Sequence, residues 1–397
     1  MNEKKKALIL WKSPWLWNKF LIKKLSKFYI IDHLYINSIK DKNFIEIVDH
    51  INKKIEENKI EVVFFDTDYF KFINFYFINK IKNVKKILIT FDDYDLHETN
   101  AITASACDLV ITGCPVSVLK YQEKGYKAHR FFLENDQDIY KNYNEKKDID
   151  VIFFGSLNDD RKSYIDYIEQ NGFKVKVISH HLNNFLKDED LAKLISRSKV
   201  VLNLSKSTFG GIRTYSLFQI LNPNKVYKFY YQFKGRIFTA GLCGTACISE
   251  FYAGHEIMFD KNELEIFYTK EECLEILKKL LQDDKVLDEY TNKFVAKVMK
   301  LTSDKVEFEA ISNLIENKKN ERKKLINIPY WYLRIAAKQI IIRNVKLSAL
   351  LKAFSQFGLI FSLIKNSNYL VKLLIIFESF INVIWYSIVT AIKFKRL

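Results

Sequence analysis

Three neighbouring runs organise the reading of this chain of 397 residues: Gln232-Phe233-Lys234-Gly235-Arg236-Ile237-Phe238, then Cys243-Gly244-Thr245-Ala246-Cys247-Ile248-Ser249-Glu250, then Gly254-His255-Glu256-Ile257. Ile237 to Leu242 has the pattern of a short helix. Gly244 turns the chain out of it, Thr245–Ser249 reads as a buried strand, and Glu250 falls at that strand's carboxyl end. Lys234 and Arg236 put two cations just before a helix amino end, whose free N–H groups already attract an anion. Gly235 lets the backbone approach closely. The carboxyl ends of strands are where open α/β sheets gather ligands.

Outward from these runs, strands are expected at Asp150–Phe154, Lys174–Ile178 and Lys199–Leu204, with helices at Arg161–Gln170 and Glu189–Ser196. Thr269-Lys270-Glu271-Glu272 has capping-box spacing ahead of a helix whose Cys273, Ile276, Leu277 and Leu280 share one face. The first 135 residues alternate in the same way, with strands at Ala7–Trp11, Tyr29–Ile36, Glu61–Phe65, Lys86–Phe91, Asp108–Thr112 and Lys127–Phe132. Such alternation predicts βαβ units on parallel sheets. The polar stretch from Asn135 to Asp150 reads as a linker. The expected domains are 1–140, 150–320 and a tail over 325–397.

Composition narrows the class. Hydrophobic residues make up 48% and charged residues 28%, which excludes a wholly disordered chain. Five cysteines are too few for a disulfide scaffold, and none has zinc spacing, so a reducing cytoplasm is expected. No signal peptide is expected at the amino end. The net charge is +16, and +11 of it lies in 321–397, where nine Lys and four Arg face two Glu. The G-x-G-x-x-G, P-loop, H-E-x-x-H and G-x-S-x-G motifs are all missing.

The run from Lys234 to Glu256 resembles the second domain of group 1-type glycosyltransferases, in their CgeB-like (spore-maturation-protein-like) branch. Val201–Ser205 resembles the strand that precedes it there. Phe91-Asp92-Asp93, Asp108–Thr112 and Lys120–Gly125 are weaker echoes of that branch's first domain. The resemblance implies a GT-B fold: two Rossmann-like domains facing across a cleft. It implies a nucleotide-sugar donor as substrate, no cofactor and no bound metal. Lys234, Gly235, Arg236, Thr239, Gly244, Thr245, Glu250 and Glu256 would form the donor site. Lys234 and Arg236 would hold the leaving diphosphate, since Arg grips phosphate bidentately and Lys acts as a point charge. On the acceptor side, His97, Asp93 and Asp95 are candidate bases.

The sequence departs from that branch in three places. Thr239 stands where a Glu contacting the donor ribose is expected. Ser207 to Tyr231 reads as an insertion, with Gly210, Gly211 and Arg213, and as a loop over the site. Lys12-Ser13-Pro14-Trp15 replaces a Gly-rich turn.

Other features compete. Asp66-Thr67-Asp68 and Asp93-Tyr94-Asp95 are D-x-D triplets after apolar strands, and paired carboxylates there hold a divalent ion in metal-dependent glycosyltransferases. A non-catalytic binder of nucleotide sugars is the alternative of another class. His180-His181 lacks a third metal ligand nearby, and the Phe70–Phe77 aromatics read as packing. In the tail, Leu333, Ile340, Leu347 and Leu351 oppose Arg334, Lys338, Arg343, Lys346 and Lys352 on a helical wheel, and Leu373–Ile392 is nearly uncharged. Basic and apolar together point to an anionic membrane surface and away from nucleic acid. A glycan or lipid-linked acceptor and a peripheral place on the inner face of the cytoplasmic membrane are expected. Lying in the plane is preferred to a single span, because basic residues flank both ends of the apolar run. Truncation after Lys324 is expected to leave both domains folded.

Overall fold

Strands such as Val62–Asp66 and Leu109–Thr112 are buried along their whole length. That pattern belongs to parallel sheets covered on both faces. The computed structural model describes residues 4–11, 18–39, 42–66, 72–90, 93–132, 136–208, 229–316, 328, 330–342 and 357–394. In its first domain the strands are β1 (Lys6–Trp11), β2 (Ile30–Tyr35), β3 (Val62–Asp66), β4 (Lys85–Thr90), β5 (Leu109–Thr112) and β6 (Ala128–Arg130). They form one sheet in the order β2-β1-β3-β4-β5-β6, every pairing parallel. Helices α1 (Asn18–Ser26), α2 (Phe44–Asn58), α3 (Phe75–Lys80), α4 (Asp93–Ala104) and α5 (Pro115–Glu123) connect them.

The second domain repeats the plan. Its elements are β7 (Ile149–Phe154), α6 (Asp159–Gln170), β8 (Val175–Ile178), α7 (Asp188–Ser196), β9 (Ser198–Asn203), α8 (Arg236–Leu242), β12 (Ala246–Glu250), α9 (His255–Met258), β13 (Glu265–Phe267), α10 (Lys270–Gln282) and α11 (Asp284–Leu301). Between β9 and α8, β10 (Lys206–Thr208) and β11 (Phe229–Tyr231) pair antiparallel. The parallel sheet runs β13-β12-β9-β7-β8. Its register pairs Ser249 with Asn203 and Val200 with Val151, so the carboxyl ends of β12, β9 and β7 lie side by side. Thr269 and Glu272 form the expected capping box on α10.

The chain then returns. Helix α12 (Asp304–Glu316), inside the stretch expected for the second domain, packs Phe308, Ile311 and Ile315 against Ala7, Ile9 and Phe64 of the first. The two crossings are clamped together by Glu307, which accepts from Lys24 Nζ and from the Phe132 amide, both at 2.7 Å.

The tail differs from its sequence reading. Helix α13 (Tyr330–Ile342) buries Leu333, Ala336, Ala337 and Ile340 with Phe44, Ile47 and Phe77 in the first domain's core. Leu333 and Ile340, the described half of the stripe read as a membrane face, are therefore spent inside the protein, since the flank of α2 and α3 offers them an apolar partner. Tyr332 fixes the contact, its hydroxyl accepting from the Phe75 amide (3.2 Å) and bonding Thr103 Oγ1 (2.9 Å). Helices α14 (Phe357–Leu363) and α15 (Tyr369–Phe394) stack on α13, and Arg334 pairs with Glu378 at 2.7 Å. Truncation after Lys324 would open this core. Leu347, Leu351 and the basic residues from Arg343 to Lys352 lie outside the described residues. Among the described residues no helix is long and apolar enough to cross a membrane.

Candidate active site

The carboxyl edge of the second sheet holds the cluster with the most chemistry. Strand β7 ends at Phe154, and Gly155 follows with φ +127°, a conformation that favours glycine. Asn158 then caps α6, its side chain accepting from the Arg161 amide at 2.9 Å. The Arg161 side chain is 3% exposed and folds back to donate to the Ser156 carbonyl (2.7 Å) and the Lys206 carbonyl (3.1 Å). From across the edge comes Arg236, the first residue of α8. Its Nη1 donates to Asn203 Oδ1 (3.3 Å) and the Leu204 carbonyl (3.4 Å), and its guanidinium lies 5.0 Å from the Phe153 ring centre. A Cβ on Gly155 would come within 2.8 Å of Arg236 Nη2, so any other residue here would push the guanidinium from its place.

Arg236 is half-buried but closely surrounded, and none of the described carboxylates lies within ion-pair distance of it. Desolvation first, and the neighbouring Arg161 second, lower its pKa to about 9. Two guanidinium groups stand close here, with the neutral oxygens of Asn203 and Leu204 around the second. Lys234 is half-buried two residues before α8.

Glu250 closes the edge at the end of β12. It is 3% exposed and accepts from the Lys206 amide at 2.7 Å. Burial raises its pKa above the usual carboxylate range. Lys206 also pairs with Asp160 at 3.0 Å. The expected residues Arg236 and Glu250 are thus on one edge, with Gly235 as the residue before α8.

Others named from sequence are elsewhere. Thr239 is inside α8, 4% exposed, its hydroxyl donating to the Gly235 carbonyl at 3.1 Å. A side chain bonded back into its own helix turn is not presented to a ribose. Gly244 and Thr245 lie at the amino end of β12, opposite to Glu250. There Lys147 donates to the Gly244 carbonyl (3.0 Å) and Thr245 Oγ1 (2.8 Å), and a Cβ on Gly244 would strike Asn142 at 2.6 Å. These two residues seat the linker, not the donor. Glu256 is exposed on α9, beside Gly254, whose missing Cβ admits Pro115 of the first domain at 2.6 Å.

The first domain meets the second along the carboxyl ends of β4 and β5. Cys114 Sγ and the Tyr252 hydroxyl touch across the junction at 3.1 Å. Asp93 stands behind that contact, 1% exposed. Its carboxylate accepts from Thr90 and Thr112 (both 3.1 Å), Asn100 (2.9 Å) and Tyr121 (2.8 Å). Four donors fill the lone pairs of a carboxylate. Asp93 therefore organises the junction and has no site left for a substrate proton or a metal. His97 is 3% exposed against the Tyr121 ring, with neither ring nitrogen hydrogen-bonded. Burial lowers its pKa and keeps it neutral, and enclosure keeps it from an acceptor hydroxyl. The Asp95 side chain and Asp68 lie outside the described residues, and Asp66 is buried at the end of β3. His181 Nδ1 bonds the Leu157 carbonyl at 2.6 Å. Among the described residues no three His, Cys, Asp or Glu side chains gather as a metal site.

Arg161 and Gly155 escaped the sequence reading. Phe154-Gly155-Ser156-Leu157-Asn158 carries their signal: a glycine directly after a buried strand, then an Asn cap.

Comparison with known proteins adds to this geometry. Residues 137–302, which span the linker and the second domain to the end of α11, match the family model described as glycosyl transferase-like. The second domain is thus similar to glycosyl transferase-like domains. Solved structures resemble about four fifths of the chain. A glycosyltransferase from Rickettsia africae superposes with a TM-score of 0.53 at 11% identity, over 80% of this chain and 100% of that one. Anabaena Alr3699/HepE in complex with UDP and glucose superposes with a TM-score of 0.52 at 12% identity, over 78% and 98%. The two parallel-sheet α/β domains are consistent with the GT-B fold. The chain matches none of the curated proteins.

Proposed function

We propose that this glycosyltransferase transfers a sugar from a nucleoside-diphosphate sugar to a hydroxyl on a glycan or lipid-linked acceptor, at the inner face of the cytoplasmic membrane and without a resident metal. The observation that carries the reading is the Arg236–Arg161 pair at the carboxyl edge of β7, β9 and β12, where a half-buried guanidinium has neutral partners among the described residues. A diphosphate relieves both its desolvation and its repulsion by Arg161. As the sugar leaves, charge grows on the diphosphate, and preorganised cations there stabilise the transition state. Glu250 supplies the carboxylate that the ribose hydroxyls need and that Thr239 cannot.

The Lys234–Glu256 run supports placing the chain near the CgeB-like branch. The HepE structures hold UDP with glucose and UDP-glucose, which makes uridine the first nucleotide to try. Metal independence rests on the cationic site and on the saturated carboxylate of Asp93.

The test is thermal unfolding with a panel of nucleoside diphosphates and nucleotide sugars, followed by donor turnover. A ligand at 100 times its Kd stabilises by about 2.7 kcal/mol. One nucleotide is expected to raise Tm, and its sugar to be released or transferred. No shift with any nucleotide refutes the donor site. Because Thr239 replaces the expected Glu and bonds within its helix, the second reading is a binder without turnover; binding with no release would establish it.

A further inference from the structure

With α13 spent on the core, the outer face of α15 is the large apolar surface left open. Ile375, Ser379 and Val383 point inward and are buried. On the other side Leu370, Leu373, Phe377, Ile381 and Ile384 recur every three or four residues, each 44–66% exposed. At 1.5 Å per residue the stripe is about 22 Å long. Tyr369 and Trp385, 76% and 61% exposed, stand at its two ends. Glu378, the acidic residue of this helix, is turned aside and neutralised by Arg334, with Tyr330 bonding its other oxygen. Lys365 ahead of the helix and Lys338 on α13 are exposed, and in the sequence Lys393 falls in the last turn of α15 with Lys395 and Arg396 after it.

Three features choose the occupant. The stripe has no charged residue, it is bordered by cations, and amphipathic aromatics mark both ends. Tyr and Trp concentrate at headgroup depth, and Lys and Arg face anionic lipid. A second copy of the chain would bring a further +16 against these cations.

We propose that α15 lies in the plane of an anionic bilayer, its Leu370–Ile384 stripe sunk to the headgroup–acyl boundary, so that the first domain is the half fixed to the lipid. This rests on the membrane location proposed above and commits it to one helix face. Because α13 to α15 are packed onto the first domain, the acceptor half stays at the surface, and the nucleotide half is joined to it through the crossings clamped at Glu307 and the Cys114–Tyr252 junction.

The test uses the full chain. Vesicles of phosphatidylcholine, alone or with phosphatidylglycerol, are floated with wild type and with the Leu373→Glu/Phe377→Glu variant. Both positions are exposed, and equal Tm values verify folding. Wild type should float with the anionic vesicles and the variant at least tenfold less. Lipids brominated near the headgroup should quench wild type more than Trp385→Phe. Equal flotation of variant and wild type overturns the proposal, as does wild type that ignores both vesicle types. A wild-type dimer that the double variant splits, with no flotation, assigns the stripe to a second copy. Affinity for the panel of nucleoside diphosphates, measured on the same samples, separates the two readings: flotation with no nucleotide bound sinks the donor site and keeps the docking face, and the reverse sinks only the docking face.

Discussion

Arg236→Met separates a ligand-binding cation from a structural one. Methionine keeps an unbranched stem over Phe153 and removes the charge. In the unliganded protein the loss is small. The hydrogen bonds given up, to Asn203 and the Leu204 carbonyl, are long at 3.3 and 3.4 Å, and a desolvated charge beside Arg161 disappears with them. Unliganded Tm should therefore stay within about 2 °C of wild type or rise, since 1 kcal/mol moves Tm by about 2–4 °C in chains of this order. With a nucleoside diphosphate the balance reverses. A bond to a charged group is worth about 1.5–3 kcal/mol, and two such bonds at the lower figure give about 3 kcal/mol. At 1.4 kcal/mol per decade that is a rise in Kd of about 100-fold. Calorimetric titration with UDP at one salt concentration reads it, and Arg236→Lys should fall between, keeping the charge but not the planar fork. A folded Met variant with unchanged affinity refutes the assignment, and one that melts far below wild type shows that Arg236 is a structural residue.

Gly155→Ala should act on the same site from outside it: a Cβ at 2.8 Å from Arg236 Nη2 and φ +127° predict a loss of stability above about 1 kcal/mol together with at least tenfold weaker nucleotide binding, read by urea unfolding and calorimetry. Turnover should survive EDTA; activity abolished by the chelator and restored by manganese would return the D-x-D reading. His255 is fully buried against Phe233 and Tyr252 with neither ring nitrogen hydrogen-bonded, and desolvation lowers its pKa to about 3. The unfolded chain takes its proton near pH 6.5 and the folded chain does not, so stability falls as pH drops from 6.5 towards 3. The slope is about 1.4 kcal/mol per unit, or about 2 kcal/mol between pH 6.5 and 5. His255→Phe should abolish that share of acid lability in urea titrations at the two pH values, and an unchanged difference would discount it. Tyr332→Phe should cost about 1–2 kcal/mol, because the Phe75 amide loses its partner.

Strands, both domains and the α10 cap were legible in the sequence because each is written in local spacing: short apolar runs, Gly turns and a Thr-to-Glu interval. The tail was legible only as a helix with a stripe. The Leu333–Ile340 pattern is the same whether lipid or a protein flank covers it, and the flank here is built by residues almost 300 positions away. Arg236 and Glu250 share the expected edge, and other expected residues lie away from it for a simpler reason. Thr245 and Glu250 sit in one motif, yet Thr245 precedes and Glu250 ends the five-residue strand β12, which rises about 3.3 Å per residue, so they stand at opposite ends of the sheet. Arg161 went unnoticed because its place beside Arg236 depends on parallel pairing of β7 and β9, which no local pattern records.

The return of α12 and α13 to the first sheet sets an order of events at the ribosome. The second domain is continuous in sequence from β7 to α11 and has all it needs once those residues emerge. The first has its last strand by Arg130 but waits for Phe308, Ile311, Leu333 and Ile340, roughly 200 residues later. At about 5–20 residues per second that is a delay of about 10–40 s. Through that interval Ile9, Phe64 and Phe44 remain without their covering helices. The half that emerges first is thus finished last, and during synthesis it is the half exposed to aggregation and to chaperones.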